Sequence, residues 1–403
     1  MNHGADWTAM QKVALIKTRS YDRNEIYNNV VKIFGFFGGA ENFFRRGEKV
    51  LIKPNLLFAR RSGEHVTTHP EIVYSICRIL SDIGCRIVIG DSPGFGDAVT
   101  VAKKCGIYDF VKKFDPEFVN FEKNAEIKVN TENTIFKKFE IAREAVEADK
   151  IVNLAKLKSH GQMVLTMSVK NIFGTVAGLL KPQWHFKAGV DADFFARMLV
   201  ELNLAVAPAF SILDGVYGME GNGPGSGTPR ELNILAGGVN CVAIDVVAAA
   251  LIGVGPNSFY TGRAARKMGI DGSRLEEIEI LGGSPSDFNI TGFKLPRAVN
   301  VQWPMAGFVR RALRSFSLSK PHYNKEKCKF CGICRDICPA GAIDFRANES
   351  VGFDLKKCVR CFCCQELCPY GAITVKKSVF DRIREQNIVK KILKLITKAG
   401  ELK

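Results

Sequence analysis

The first 296 residues alternate short apolar runs with stretches of helical spacing. Val13-Ala14-Leu15-Ile16 reads as a strand, and Asn24 to Phe37 sets Ile26, Val30, Val31 and Phe34 along one helical face. Lys49 to Ile52 is a strand, 70–83 a helix, Arg86 to Gly90 a strand and 98–113 a helix. Ile151 to Leu154, Phe210 to Leu213, Leu232 to Ala236 and Ile278 to Leu281 add strands, with a helix over 193–206. Strands alternating with helices predict an α/β domain on a mostly parallel sheet. The apolar stretch 163–180 carries Lys170-Asn171 at its centre, costly in lipid, and reads as a buried helix rather than a span. Residues 241–254 are too short to span; Asp245 within them is either a buried hydrogen-bonding acid or a partner for a site lysine. Residues 182–192 read as a mobile polar loop. Gly221 to Pro229 reads as a flexible loop able to cover a ligand or cradle phosphate, without the Lys-Ser/Thr of a Walker motif.

Four strands end in polar groups: Lys53-Pro54-Asn55, Asp91-Ser92, Lys156 with Lys158, Ser159 and His160, and Asp214 followed by Glu220 and Asn222. Any one of these is an ordinary turn composition. Together, in a parallel sheet, they point to one crevice beyond the carboxyl ends of the strands.

From residue 297 the pattern changes. Residues 297–320 read as a basic linker, 321–377 as a small α+β domain and 378–403 as a basic C-terminal helix. In the small domain CKFCGICRDICP recurs 30 residues later as CVRCFCCQELCP. Each copy is C-x2-C-x2-C-x3-C-P, the spacing by which domains of bacterial-ferredoxin type hold two [4Fe-4S] clusters with the fourth cysteine ligating the other cluster, so a bacterial-ferredoxin-like domain is expected. Cys328, Cys331, Cys334 and Cys368 are therefore expected on one cluster, and Cys358, Cys361, Cys364 and Cys338 on the second. Zinc also favours C-x2-C, but its four-ligand sites do not call for a third cysteine repeated with proline. Cys363 is left over as a spare thiol, a sulfur contact or a swapped ligand; the plainest reading is a non-ligand beside the cluster.

Nine of the 13 cysteines lie in this region; Cys77, Cys85, Cys105 and Cys241 sit in apolar surroundings and read as free thiols, so a reducing, cytoplasmic setting is expected. No secretory apolar run follows Met1. Of the net charge of +16, most falls after residue 296, where 22 Lys and Arg face nine Asp and Glu. That surface suits an acidic redox partner. Nucleic acid is disfavoured because no aromatic–basic stacking pattern accompanies the charge. Peripheral membrane contact through the basic amphipathic stretches is the weaker reading beside their docking on the main domain.

The motifs KPNLL at 53–57, THP at 68–70, GDSPG at 90–94, LKSHGQMVLTMSVKNIFGTVAGLLK at 157–181 and DGVYGMEGNGPGSGTPRELNILAGGVNCVAIDVVA at 214–248 resemble the domain-of-unknown-function 362 family, many members of which carry a two-cluster ferredoxin module. The resemblance implies an α/β domain plus [4Fe-4S] clusters. Its polar motif positions fall on Lys53, Asn55, Asp91, Ser92, Lys156, Lys158, His160, Lys170, Asn171, Glu220, Asn222 and Asp245. It names no substrate. Two functions compete. In a ferredoxin-linked oxidoreductase, an anionic small molecule would be held by Lys53, Asn55, Ser92, Lys156, Lys158, Asn171, Glu220 and Asn222, with His160, Asp91 and Lys170 as catalytic groups, because reduction consumes protons as well as electrons. The alternative is a non-enzymatic electron-relay or cluster-handling subunit.

Overall fold

The computed structural model describes residues 10–129, 131, 133–178, 180–189, 191–296 and 319–376. The basic linker beyond Leu295-Pro296 and the C-terminal helix expected over 378–403 lie outside the described residues. The chain order is β1 (Gln11–Lys17), α1 (Arg23–Gly35), β2 (Lys49–Pro54), α2 (Pro70–Ile83), β3 (Arg86–Asp91), α3 (Ala98–Lys104), α4 (Ile107–Val111), β4 (Glu117–Asn120), β5 (Asn124–Lys128), β6 (Lys138–Ala142) and α5 (Arg143–Glu147). It continues with β7 (Lys150–His160), β8 (Val164–Thr166), α6 (Ser168–Asn171), α7 (Leu180–Ala188), α8 (Ala192–Val206), β9 (Phe210–Glu220), β10 (Thr228–Gly238), α9 (Cys241–Leu251), α10 (Tyr260–Lys267) and β11 (Ile278–Gly282).

Among the described residues, nine strands form one mixed sheet in the order β11-β1-β10-β9-β7-β2-β3-β4, with β8 paired to β7. The pairs β2–β3, β2–β7, β3–β4, β7–β9 and β1–β11 are parallel. Successive side chains of a strand point to opposite faces, and here they feed two separate cores. Val13, Leu15 and Leu51 pack with α8 and α9, whereas Ala14, Ile16, Val50 and Ile52 pack with α1 and α2. The result is a three-layer α/β domain, as the strand–helix alternation predicts.

Three expectations are corrected. Helix 98–113 breaks at Gly106, whose φ of 86° is left-handed. Residues 163–180 do not form one helix. Val164 to Thr166 join the sheet, and α6 starts only at Ser168, where Asp245 accepts the Ser168 and Val169 amides at 2.7 and 3.0 Å. Asp245 is therefore the buried hydrogen-bonding acid, not a lysine partner. Residues 182–192 are not a loop over most of their length; α7 occupies them to Ala188, with Trp184 packed on Phe136 and Phe139.

The small domain comprises β12 (Lys320–Tyr323), α11 (Ile333–Asp336), β13 (Ile343–Arg346), β14 (Ser350–Phe353), α12 (Cys363–Glu366) and β15 (Ile373–Lys376), paired β12–β15 and β13–β14. It sits on the α/β domain through α12. Phe58, Val66, Met219 and Leu367 form a small shared core. Gln365 Nε2 donates to Asn222 Oδ1 at 3.0 Å and to the Gly223 carbonyl at 3.1 Å, and Ser226 Oγ donates to the Cys368 carbonyl at 2.8 Å. The loop 221–229, read as a ligand cover, is largely the seat of the small domain. Gly94 lies so close to Leu367 that a side chain there would collide with it.

Candidate functional site

The cysteine repeats fold into two cavities. Cys328, Cys331, Cys334 and Cys368 line one; Cys338, Cys358, Cys361 and Cys364 line the other. Among the described residues no three His, Cys, Asp or Glu converge closely enough to hold a single ion. The sulfurs instead stand around a space, which is what a cubane requires and a lone zinc does not. Backbone amides donate to ligand sulfurs at equivalent places in the two copies: Ala342 to Cys338 and Ala372 to Cys368, both at 3.3 Å. Burial, with neighbouring sulfurs adding to it, pushes the Cys334 thiol up to about 11. Such thiolates stay together only around a positive core, so the residues fit [4Fe-4S] clusters.

A second feature lies between the domains. A crevice of about 180 Å³ opens at the ends of β2, β3 and β7 and is closed on its far side by α12. Its polar groups come from both domains: Lys53, Asp91, Lys158, Lys170 and Lys181 from the α/β side, Glu366 from the small domain. Leu56, Leu57, Phe173 and Leu367 supply apolar wall.

Lys53 Nζ, at the end of β2, pairs with Asp91 Oδ1 at 2.8 Å, both side chains being buried. Asp91 also accepts the amides of Leu56 and Ser92 at 2.7 and 2.8 Å. Gly174 passes over this pair where a side chain would overlap it. Lys158, at the end of β7, donates to Asn55 Oδ1 at 2.8 Å and to the Val66 carbonyl at 2.7 Å. Asn55 in turn donates to Asn171, and Asn171 to Asn153. A buried amide chain thus fixes Lys158 without giving it a carboxylate, and burial pulls its ammonium down to about 7. Lys181, on α7, donates to the Ser92 carbonyl; burial lowers it to about 8.

Glu366 is the acid of the far wall. Burial pushes its carboxyl up, but Lys170 and His160 outweigh this and hold it well below the usual carboxylate range. Lys170 Nζ is 3.8 Å from Oε1, and His160 Nε2 is 3.2 Å from Oε2. His160 Nδ1 accepts the amides of Gln162 and Met163 at 3.1 and 3.2 Å. Burial lowers its pKa; with Nδ1 accepting two amides, a neutral ring carries its proton on Nε2, which lies near Glu366 without a hydrogen-bond partner among the described residues.

The sequence-predicted residues divide accordingly. Lys53, Asn55, Asp91, Ser92, Lys158, Lys170 and Asn171 gather at the crevice. His160 stands behind Glu366 and does not line it. Lys156, Glu220 and Asn222, expected to hold substrate, are engaged elsewhere. The Lys156 ammonium, lowered by burial, pairs with Asp214 at 2.9 Å and donates to Tyr21 at 2.7 Å. The β7–β9 register slips between Lys156 and Lys158, and such a bulge re-aims neighbouring side chains. Glu220 is held by Arg230 at 2.8 Å and the Lys294 amide at 3.0 Å. Asn222 anchors Gln365. The sequence reading missed Lys181, Glu366 and His185 as crevice residues, and Cys363, buried and in no disulfide, lines the crevice with its thiol hydrogen-bonded to Cys361. Only Glu366 left a trace: it occupies, in the second cysteine motif, the place of Asp336 in the first.

Fold and site together define an α/β protein with a docked two-cluster 4Fe-4S domain of the ferredoxin type, carrying two [4Fe-4S] clusters. Residues 50–250 match the domain of unknown function DUF362, and residues 327–372 match the 4Fe-4S dicluster domain. The chain belongs to the DUF362 family. It is 36% identical over 306 residues to the thylakoid-associated protein sll1697 of Synechocystis sp., covering 76% of this chain and 93% of that protein. Weaker likenesses link part of the fold to the lactate racemase apoprotein of Thermoanaerobacterium thermosaccharolyticum (TM-score 0.38, 14% identity, 59% of this chain, 56% of that one). A protein from Thermotoga maritima is similar at TM-score 0.33, with 13% identity over 51% of this chain and 52% of that one. No helix among the described residues is long and apolar enough to cross a membrane.

Proposed function

We propose that this chain is an iron–sulfur oxidoreductase that reduces an anionic small molecule held in the crevice between its two domains. The observation that carries this reading is the placement of α12. Cys364 lines a cluster cavity while the adjacent Cys363, its thiol hydrogen-bonded to the ligand Cys361, and Glu366 one turn on line the crevice. Consecutive Cα atoms lie about 3.8 Å apart, so one residue step separates the two spaces. When bound there, the clusters supply electrons one at a time. The chain's own residues do the rest: Lys158, Lys170 and Lys181 hold the anion, the apolar walls exclude water, and Lys158 holds a proton near neutral pH for the reduced product. His160 positions Glu366.

The ligand sets are those of the two cavities, with Cys338 and Cys368 each serving the opposite triplet. Electrons would arrive at the first cluster, whose Cys331 is exposed and flanked by exposed Lys325, Lys327 and Lys329, from an acidic carrier. Cluster handling finds less support, since Cys361, Cys364 and Cys368 are buried. Free thiols at Cys77, Cys105 and Cys241 suit the cytoplasm.

The test is reoxidation of anaerobically reduced holoprotein, followed by cluster absorbance, with a panel of small anionic acceptors. Expected is at least one acceptor whose rate saturates and falls about 10- to 100-fold in Lys170→Met. Equal rates in the variant, or no advantage of anions over neutral acceptors, would sink the proposal.

A further inference from the structure

The crevice is out of charge balance. Among the described residues four ammonium groups line it, on Lys53, Lys158, Lys170 and Lys181, against two carboxylates, on Asp91 and Glu366. Lys53 is matched by Asp91 and Lys170 by Glu366. Among the described residues Lys158 and Lys181 have only neutral oxygens as hydrogen-bond partners, from Asn55, Val66 and Ser92; Glu366 and Asp91 reach them only through the field across the crevice, each already paired with another lysine. Buried cations without counter-charge are costly, and a site built this way is completed by its ligand. The other ionisable groups facing the space do not supply the missing charge. His185, with its Nδ1 unpartnered, is held neutral by burial down to about 3. Cys363 is a buried thiol. The Lys156–Asp214 pair behind is internally matched. The cluster cavity across α12 has no lysine in its lining, so its thiolates do not neutralise these two ammonium groups by contact.

Resting on the reading of the crevice as the substrate site, we infer that its ligand is an organic dianion with a short apolar body, and that binding draws protons onto the protein. The two unmatched ammonium groups take the two anionic charges. Leu56, Leu57, Phe173 and Leu367 take the body between them. In the ligand-free protein Lys158 and Lys181 are partly deprotonated near pH 8. A bound dianion restores both charges, so affinity falls as pH rises through that range.

The experiment uses oxidised, cluster-loaded protein and involves no electron transfer, so it fails or succeeds independently of the redox proposal. Succinate, glycerol phosphate and butyrate are titrated calorimetrically at pH 8 in two buffers of different ionisation enthalpy. The expected result is that at least one dianion binds about tenfold or more tightly than butyrate, with uptake of about one proton per ligand that vanishes toward pH 6. The choice between succinate and the phosphate ester sorts carboxylate from phosphate. Lys181→Met, on the half-buried α7, should weaken the dianion about 10- to 100-fold and leave butyrate nearly unchanged. Lys170→Met serves as the second variant should the first not fold; its Glu366 partner is left unmatched, and the dianion preference should vanish. Dianions binding no better than butyrate, or binding without proton uptake, overturn the inference.

Discussion

The two cysteine motifs share a spacing and a local backbone, yet they live in different surroundings. At equivalent places, Phe330 and Arg360 are both left-handed, as are Gly332 and Phe362. In the first motif Arg335 and Asp336 pair with each other at 2.8 Å on the surface, and Cys331 is exposed. In the second, the corresponding Gln365 and Glu366 turn into the α/β domain, and Cys361 is buried. The ligand spacing builds the same cradle twice. The residues between the ligands decide which cradle stays at the surface and which faces the crevice.

That contrast can be broken most forcefully at the ligands. Cys361→Ser should remove the inner cluster, lowering iron from about eight to about four per chain, and abolish anion binding with it. Cys331→Ser should cost the same iron but spare binding; iron analysis and calorimetry on both variants decide. Next come the hydrophobic counterparts. Leu367→Ala, in the shared core, should cost about 2–5 kcal/mol in denaturant unfolding, and half-buried Ile337→Ala less. Gln365→Ala strips three acceptors of their donor and should cost about 1–3 kcal/mol, while Arg335→Ala should stay within about 0.5 kcal/mol.

The remaining expected effect is on pH. Lys158 at about 7 and Lys181 at about 8 lie below the lysine range of the unfolded chain. Between about pH 7 and 10 the unfolded state therefore binds more protons, and ligand-free stability should rise with pH, by at most about 1.4 kcal/mol per unit for each lysine. Lys181→Met should flatten this slope, and Lys329→Met, on the exposed motif, should leave it unchanged; thermal unfolding against pH shows which.

The parts of this architecture set by local pattern were legible in the chain. Strands such as Val13 to Ile16 declare themselves by apolar runs, and the cubane cradles by ligand spacing. What depended on distant partners was not. The α7 segment LKPQWHFKA has no apolar face, and it is helical because Trp184 finds Phe136 and Phe139. The start of α6 is set by Asp245, 77 residues away in sequence from Ser168. Lys156 and Lys158 are two residues apart on one strand, and only the register slip against β9 tells which serves the crevice. Glu366 shows in the chain only as the counterpart of Asp336, and its place in the crevice depends on the docked domain.

One wall of the crevice is the same helical turn that carries a cluster ligand. On the proposed reading, a molecule stripped of its inner iron, as by oxygen, would lose the tether on that turn and with it the proposed grip on an anion. Damaged copies would then neither sequester the metabolite nor compete with intact ones for it, and repair of the metal centre would restore recognition and reactivity in a single event.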